Sequence, residues 1–582
     1  MLRSLLGALV MAGAILSSPG AEGASQPAPA RYLWSTYLGG NADDAAWDVA
    51  HGPGGEVFLV GSVGSQTGLS LPANTIRVGA GGGRDVVVAR FSAEGVAEWA
   101  VVFGGKGEDS GRAVVLGPQG ELFVAGTTDS ADFFVIPTDG RPGTFLNAMR
   151  DAFITRVNPD GSGLSWFAHL GGSLDEEAHD LALGSSSLLI AGETTSPDMP
   201  GGGGAAKGTD GFVTAFEPTS RDVVATELLT GSGGDVARAL IVREGAVVVA
   251  GTTTSSDLEQ RVNAHAGPVN GSDAFLAVLD DSPLQLLKTQ YVGGQGEDVA
   301  SGLDFFGEWS PPDVLLVGNT YSSNFLGLGA PKGSSDVFVA RYSTGPGLEM
   351  TLMGATLLGG SQEDQGVSVA WAGASFHEDF FVGGWTASTD FPLVSALDSV
   401  LEPAGRDGFV AKLTAASLSP EARPVWSTLV GGEGSDAILA MSFSSQERLF
   451  LGGLTFSSEL PGGTPGFDPT LNPRGDMLLA SMDLGRGWQP SDGGTQDGGM
   501  PWDGGWDGGL PDGSWPEPKP GDGGTGPDIK DPDLGLDGGS PLGWSCGCTS
   551  FQGPGGLALG ALLALGRLAS RRRRADTPPE RF

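Results

Sequence analysis

Fourteen carboxylates recur at two fixed positions along this chain. Carboxylates so placed can bind cations, accept backbone hydrogen bonds or move protons. One set is Asp44, Asp109, Glu176, Asp235, Asp298, Asp364 and Asp436; the other is Asp85, Asp151, Asp210, Asp273, Asp336, Asp407 and Asp476. Each member of the first set stands five residues after the first anchor of a short phrase, a hydrophobic residue followed by Gly-Gly or a near-variant. The phrase ends apolar runs at Leu38-Gly39-Gly40, Phe103-Gly104-Gly105, Leu170-Gly171-Gly172, Leu229-Thr230-Gly231, Val292-Gly293-Gly294, Leu358-Gly359-Gly360 and Val430-Gly431-Gly432. In glycine-rich loops the expected partners of such acids are backbone N–H groups. Recurrence in every copy also argues against catalysis, because catalytic sites within a ring are asymmetric. The first set is the candidate metal set, with Ca2+ as the cation; no catalytic or cofactor-binding residue is assigned.

The remaining reactive residues do not form a known constellation. His51, His169, His179, His265 and His377 fall at unrelated places in the repeat and read as packing or surface residues. His377-Glu378 runs into Asp379-Phe380-Phe381, so it lacks the second histidine of a zinc His-Glu-x-x-His helix. There is no Gly-x-Ser-x-Gly elbow, phosphate loop or Cys-x-x-Cys pair, and the chain does not read as an enzyme. The formal charge of −37 repels phosphate backbones, which excludes nucleic acid as a partner.

The elements that position the acids follow from the phrase. Position 39 to position 431 is six steps, a period of about 65 residues. Within the second copy, Asp109 to Leu116 leads through Gly117-Pro118-Gln119-Gly120 to Glu121–Gly126. A long loop then reaches Asp151 to Val157, and Asn158-Pro159-Asp160-Gly161 leads to Ser165–Leu170. Four short apolar runs separated by turn chemistry are strands buried on both faces. The expected fold is all-β: a monomeric seven-bladed β-propeller of four-stranded antiparallel blades over 31–484. Arg31 to Leu38 lacks a preceding partner and Asp476 to Met482 lacks a following one, so the early strand should close the ring. Trp34, Trp99, Trp166 and Trp426 fall in outer strands as packing residues. The loops into the first strand and between the second and third share one face. The latter are long, Asp85 coming 24 positions after Gly61, so binding is expected on that face.

Tyr37-Leu38-Gly39-Gly40, Val124-Ala125-Gly126-Thr127-Thr128, Asp390-Phe391-Pro392 and Asp407-Gly408-Phe409-Val410-Ala411-Lys412 resemble the SBBP family of seven-bladed propeller repeats. That resemblance implies the fold and an extracellular setting, and no agreed activity. Residues 1–23 read as a signal peptide: Arg3, an apolar stretch from Leu5 to Leu16, then small residues for cleavage. Residues 485–544 are an Asp/Gly/Pro-rich linker expected to be disordered. Residues 545–582 place Cys546 and Cys548 before a short apolar run, Gly553 to Gly566, and then Arg571, Arg572, Arg573 and Arg574. This order resembles the MYXO-CTERM sorting signals of myxobacterial surface proteins. It implies a short transmembrane segment, processing by a sorting protease near the cysteines, and delivery to the cell surface or outer membrane with possible release outside. The expected role is binding, adhesion or scaffolding through the long-loop face, toward a surface, matrix, glycan or protein ligand. The alternatives are a carbohydrate-active hydrolase or lyase and a purely structural envelope component.

Overall fold

A computed structural model describes residues 30–484 apart from 65–67, 134–149, 203–207, 262–266, 269–270, 308–312, 345–349, 374–377, 403–404, 421–422, 463 and 473. The segments expected to be a signal peptide, a linker and a sorting signal, the last with Cys546, Cys548 and Arg571 to Arg574, lie outside these residues. So do His265 and His377.

Seven sheets form the ring, each a blade of four antiparallel strands. The inner strands are Ala45–His51, Asp109–Leu116, Glu176–Leu183, Asp235–Arg243, Asp298–Phe306, Asp364–Trp371 and Asp436–Phe443. Each touches the next, and the last touches the first, so the inner strands encircle one axis. The strands behind them are buried along almost their whole length, as in Val57–Val63 and Leu122–Thr128. This is why the sequence shows continuous apolar runs instead of alternation: each sheet packs on a neighbour on both faces.

The first strand closes the ring as its orphan status required. Arg31–Leu38 pairs antiparallel with Asp476–Asp483, from Arg31 opposite Asp483 to Leu38 opposite Met477. It is the outer strand of the seventh blade. Trp34 packs its ring 6.4 Å from Phe91 and from Phe450 and donates its indole N–H to the Ala93 carbonyl, fastening the seventh blade to the first. Trp99, Trp166 and Trp426 are likewise buried.

The loops between second and third strands have a use that their length did not reveal. In the first, third, fourth, sixth and seventh blades they turn back along the outermost strand of their own blade. Thr75–Val78 pairs in parallel with Ala97–Phe103, and Thr464–Pro465 with Trp34 and Ser35. Single bridges do the same at Gly202 with Thr226, Arg261 with Thr289, and Val394 with Ser427. Hydroxyls fix the contact: Thr226 donates to the Pro200 carbonyl at 2.6 Å, Ser427 to Pro392 at 2.7 Å and Ser35 to Pro461 at 2.9 Å. An outer strand otherwise presents open N–H and C=O groups to other chains, and these loops cover that edge.

All seven inner strands carry a β-bulge at the same place. Pairing with the second strand skips Trp47, Arg112, His179, Arg238, Ser301, Val367 and Leu439 in turn. The recurring second-strand glycine belongs to the same device. A Cβ added at Gly126, Gly192 or Gly251 would collide with the inner-strand carbonyl of Ser110, Glu177 or Val236. The bulge presses the inner backbone onto the second strand, and only glycine leaves room.

Candidate functional site at the axial mouth

The fourteen repeated carboxylates are all buried, and they meet in pairs. At Gly39, Gly104, Gly171, Gly293 and Gly359 the first glycine of the phrase separates the two members, and in the fourth copy Thr230 takes that place and donates to Asp210 at 3.0 Å. A Cβ at Gly359 would lie 2.6 Å from Asp336 Oδ1 and 2.8 Å from Asp364 Oδ2. The acids therefore do not line the open mouth of the ring; they sit inside the crossings from one blade's outer strand to the next blade's inner strand. Asp109 shows the pattern: its Oδ2 accepts the Gly105 N–H at 2.7 Å and the Ser130 hydroxyl at 2.8 Å, while Oδ1 accepts the Thr128 hydroxyl. Glu176 takes Gly172 and Thr194, Asp298 takes Gly294 and Ser322, and Asp364 takes Gly360, Thr386 and Ser388. Asp235 takes Thr253 and Ser255, Asp436 takes Gly432 and Ser457, and Asp44 takes two backbone N–H groups, of Gly40 and Gly64. The loops' own donors thus occupy at least one oxygen of each of these seven acids.

Burial dominates the protonation of these acids. It pushes Asp109 up to about 6 against the pull of its three donors, with Asp85 adding to the rise. Burial and then Asp298 push Asp273 up to about 7; burial and then Asp436 push Asp407 up to about 8. Two like charges across one glycine cannot both ionise cheaply, so a pair retains a proton near neutrality.

A second repeated motif supplies the hydroxyls. In six of the seven copies, counting from the second-strand glycine, Thr stands at +2, Ser at +4, an acid or amide at +6 and an apolar plug at +7. Examples are Thr128, Ser130, Asp132 and Phe133, and Thr386, Ser388, Asp390 and Phe391. The Ser also accepts a loop N–H, as Ser388 does from Gln362 at 2.8 Å, and Asp390 accepts from Ser361 at 2.7 Å. The plug docks on the third strand: Phe391 lies 4.6 Å from Phe409 and Phe325 lies 4.4 Å from Phe338. The motif was readable at fixed offsets from Gly126, beyond the Thr127-Thr128 with which that strand ends.

What does not repeat is the ring of bulged residues around the axis. On one side Trp47, Val367 and Leu439 join Ala45, Trp385, Ala437 and Leu454 in a single apolar cluster spanning blades six, seven and one. On the other side come Arg112, His179 and Arg238. Arg112 stacks its guanidinium 3.9 Å above the Trp47 ring, joining the two arcs. Burial lowers the Arg112 pKa to about 10, with Glu177 opposing. In the third blade Glu177 and Glu193 stand opposite each other across the strand pair, beside His179. The equivalent pairs elsewhere are Ala45 with Ser62, Asp235-flanked Val236 with Thr252, and Gln365 with Trp385, so the two acids are particular to that blade. Arg150 bonds Glu177, and His179 Nε2 lies 3.5 Å from Glu193 Oε1. Around the rim, Tyr321 and Phe456 are exposed, and Gln365 donates to the Tyr321 hydroxyl at 3.3 Å. His51 meets the Ser442 hydroxyl at 2.8 Å and His169 packs against Phe167, so these two do serve packing.

No protein-family model matches the chain. The regulatory protein FlaEY of Caulobacter vibrioides is 25% identical over 378 residues, 61% of this chain and 38% of that protein. This chain thus spans well under half the length of that relative. Among solved structures, hydrazine synthase of Kuenenia stuttgartiensis aligns over 74% of this chain and 96% of its own, at 8% identity and a TM-score of 0.41. BamB from Moraxella catarrhalis aligns over 78% and 99%, at 12% identity and a TM-score of 0.31. The seven-bladed assignment rests on the strand order and ring closure described above. Among the described residues no helix is long and apolar enough to cross a membrane.

Proposed function

We propose that this chain is an exported SBBP-type propeller that acts as a binding or scaffold module. Its recognition surface is the axial mouth on the face where the inner strands begin. The observation that carries this reading is the contrast between the two rings of side chains. The first set of sevenfold acids is buried and bonded by its own loops, whereas the bulged residues, also largely buried, change chemistry from blade to blade. A surface that must discriminate a partner needs such asymmetry; a surface that only holds the fold does not. The exposed Tyr321 and Phe456, with the partly exposed Arg112 and Glu177, offer aromatic and charged anchors above the buried apolar arc. A role in regulation, as the name of the Caulobacter relative has it, is compatible with a binding module. The MYXO-CTERM-like end would hold the module at the cell surface.

The purified chain, applied to glycan and envelope-protein arrays with and without Ca2+, is expected to retain a discrete set of ligands. Tyr321→Ala combined with Phe456→Ala should weaken their binding at least tenfold while leaving the circular dichroism unchanged. Ligands held equally well by the double variant would move the surface elsewhere. A second reading, a surface glycan hydrolase or lyase, has one observation in its favour, the blade-specific pair Glu177 and Glu193. Glycan cleavage that disappears in Glu193→Gln would establish it over the first.

A further inference from the structure

We propose that Glu177, His179 and Glu193 form a binding site for a divalent transition metal of the zinc type. One ligand atom from each residue lies within 4.8 Å of the other two. The backbone prepares this: Glu177 and Glu193 are direct partners across the strand pair, and the bulge aims His179, two residues on from Glu177, at the same side. His179 is 3% exposed, yet neither of its ring nitrogens makes a hydrogen bond. Its Nε2 has only the long 3.5 Å approach to Glu193 Oε1, and a metal on Nε2 would give the buried imidazole a stronger interaction. A neighbour prepares one carboxylate too. Arg150 grips Glu177 from outside, as outer partners orient metal-ligating carboxylates.

The donor set decides the metal. One imidazole nitrogen and two carboxylate oxygens suit Zn2+, Co2+ or Mn2+, whereas Ca2+ takes six to eight oxygens. Glu177 and Glu193 are partly exposed, so a fourth position would face the mouth and remain open to water or a ligand group. Arg112, Arg150 and Arg238 lie near the acids and oppose a cation, so binding is expected to be weaker than at closed structural zinc sites. The site shares the mouth with the recognition surface proposed above but does not rest on it: the metal titration succeeds or fails whether or not any array ligand is found.

The test uses the full chain with Cys546→Ser and Cys548→Ser, stripped with chelator, to remove the thiols as competing ligands. Titration with Co2+ is expected to give a visible absorption band saturating at one equivalent, displaced by Zn2+ and not by Ca2+. Glu177→Gln and Glu193→Gln should each weaken Co2+ at least tenfold. Both side chains are partly exposed and the replacements isosteric, so folding is retained and is checked by circular dichroism. His179→Ala should abolish the band. No band, or a band unchanged in both glutamine variants, overturns the proposal, and displacement by Ca2+ assigns the site to a different cation class.

Discussion

At the scale of single residues, the carboxylate pairs give the protein an unusual response to pH. An acid whose folded pKa is raised binds its proton more tightly folded than unfolded. The stability it adds is complete below the unfolded value near 4 and is lost as pH rises through the folded value. Asp109, Asp235 and Asp364 are pushed up to about 6, Asp44, Asp151 and Asp273 to about 7, and Asp407 to about 8. Burial leads in every case. Two buried histidines act oppositely: His51 and His169 are lowered to about 4 by burial, so their contribution fades only below about 6.5. Between pH 6.5 and 8 the acids therefore act alone, and stability should fall by about 1.4 kcal/mol per pH unit for each proton retained. Urea unfolding at pH 6.5, 7.25 and 8 measures this; a midpoint that stays level or rises would refute it. The spacing of these acids was legible in the sequence because they repeat. Their burial was not, because Gly-rich text looks the same whether a loop faces water or folds inward around an acid.

At the scale of elements, the inner-strand bulge and the second-strand glycine form one unit. Gly251→Ala would drive a methyl group into the Val236 carbonyl and the Phe275 ring, and should cost about 1–3 kcal/mol. Gly462→Ala, where nothing lies within 4 Å, should cost far less. Chemical denaturation of the two variants side by side tests the pairing, and equal losses would dissolve it. Strand identities read well from the sequence: Asp109–Leu116 and Asp151–Val157 begin and end where their turn residues said. The bulge was invisible, since an unpaired residue carries no composition signal of its own. It decides the site nonetheless, because it selects Arg112, His179 and Arg238 to face the axis. Loop length misled for a related reason. Length reports that a segment has work to do, and here part of that work is covering the blade's own edge.

At the scale of the whole molecule, stability depends on closing the ring. Three buried aspartates tie neighbouring inner strands by accepting an N–H across the gap: Asp48 from Val114, Asp180 from Leu240 and Asp304 from Trp371. These stitches join blades one to two, three to four and five to six. The seventh blade instead depends on Arg31–Leu38. Deleting residues 31–40 should lower Tm by far more than deleting 485–582, as measured by thermal scanning of both truncations. Similar Tm values would refute the closure. The count of repeats and the orphan strand made this topology legible from sequence; the stitches were not, because Asp48, Asp180 and Asp304 do not recur in every blade.

The closure also determines how the ring carries force. A pull entering from the residues after Leu484 reaches Asp476–Asp483, which is hydrogen-bonded on both flanks, to Arg448–Thr455 and to Arg31–Leu38. Extracting that strand means breaking two ladders together. A pull on Arg31 would instead peel one full ladder, from its first pair with Asp483 inward, and beyond it only the short contact of Trp34 and Ser35 with Thr464–Pro465. A module gripped by its C-terminal side is thus loaded through its strongest attachment, and the weaker seam bears no tension while the opposite end hangs free.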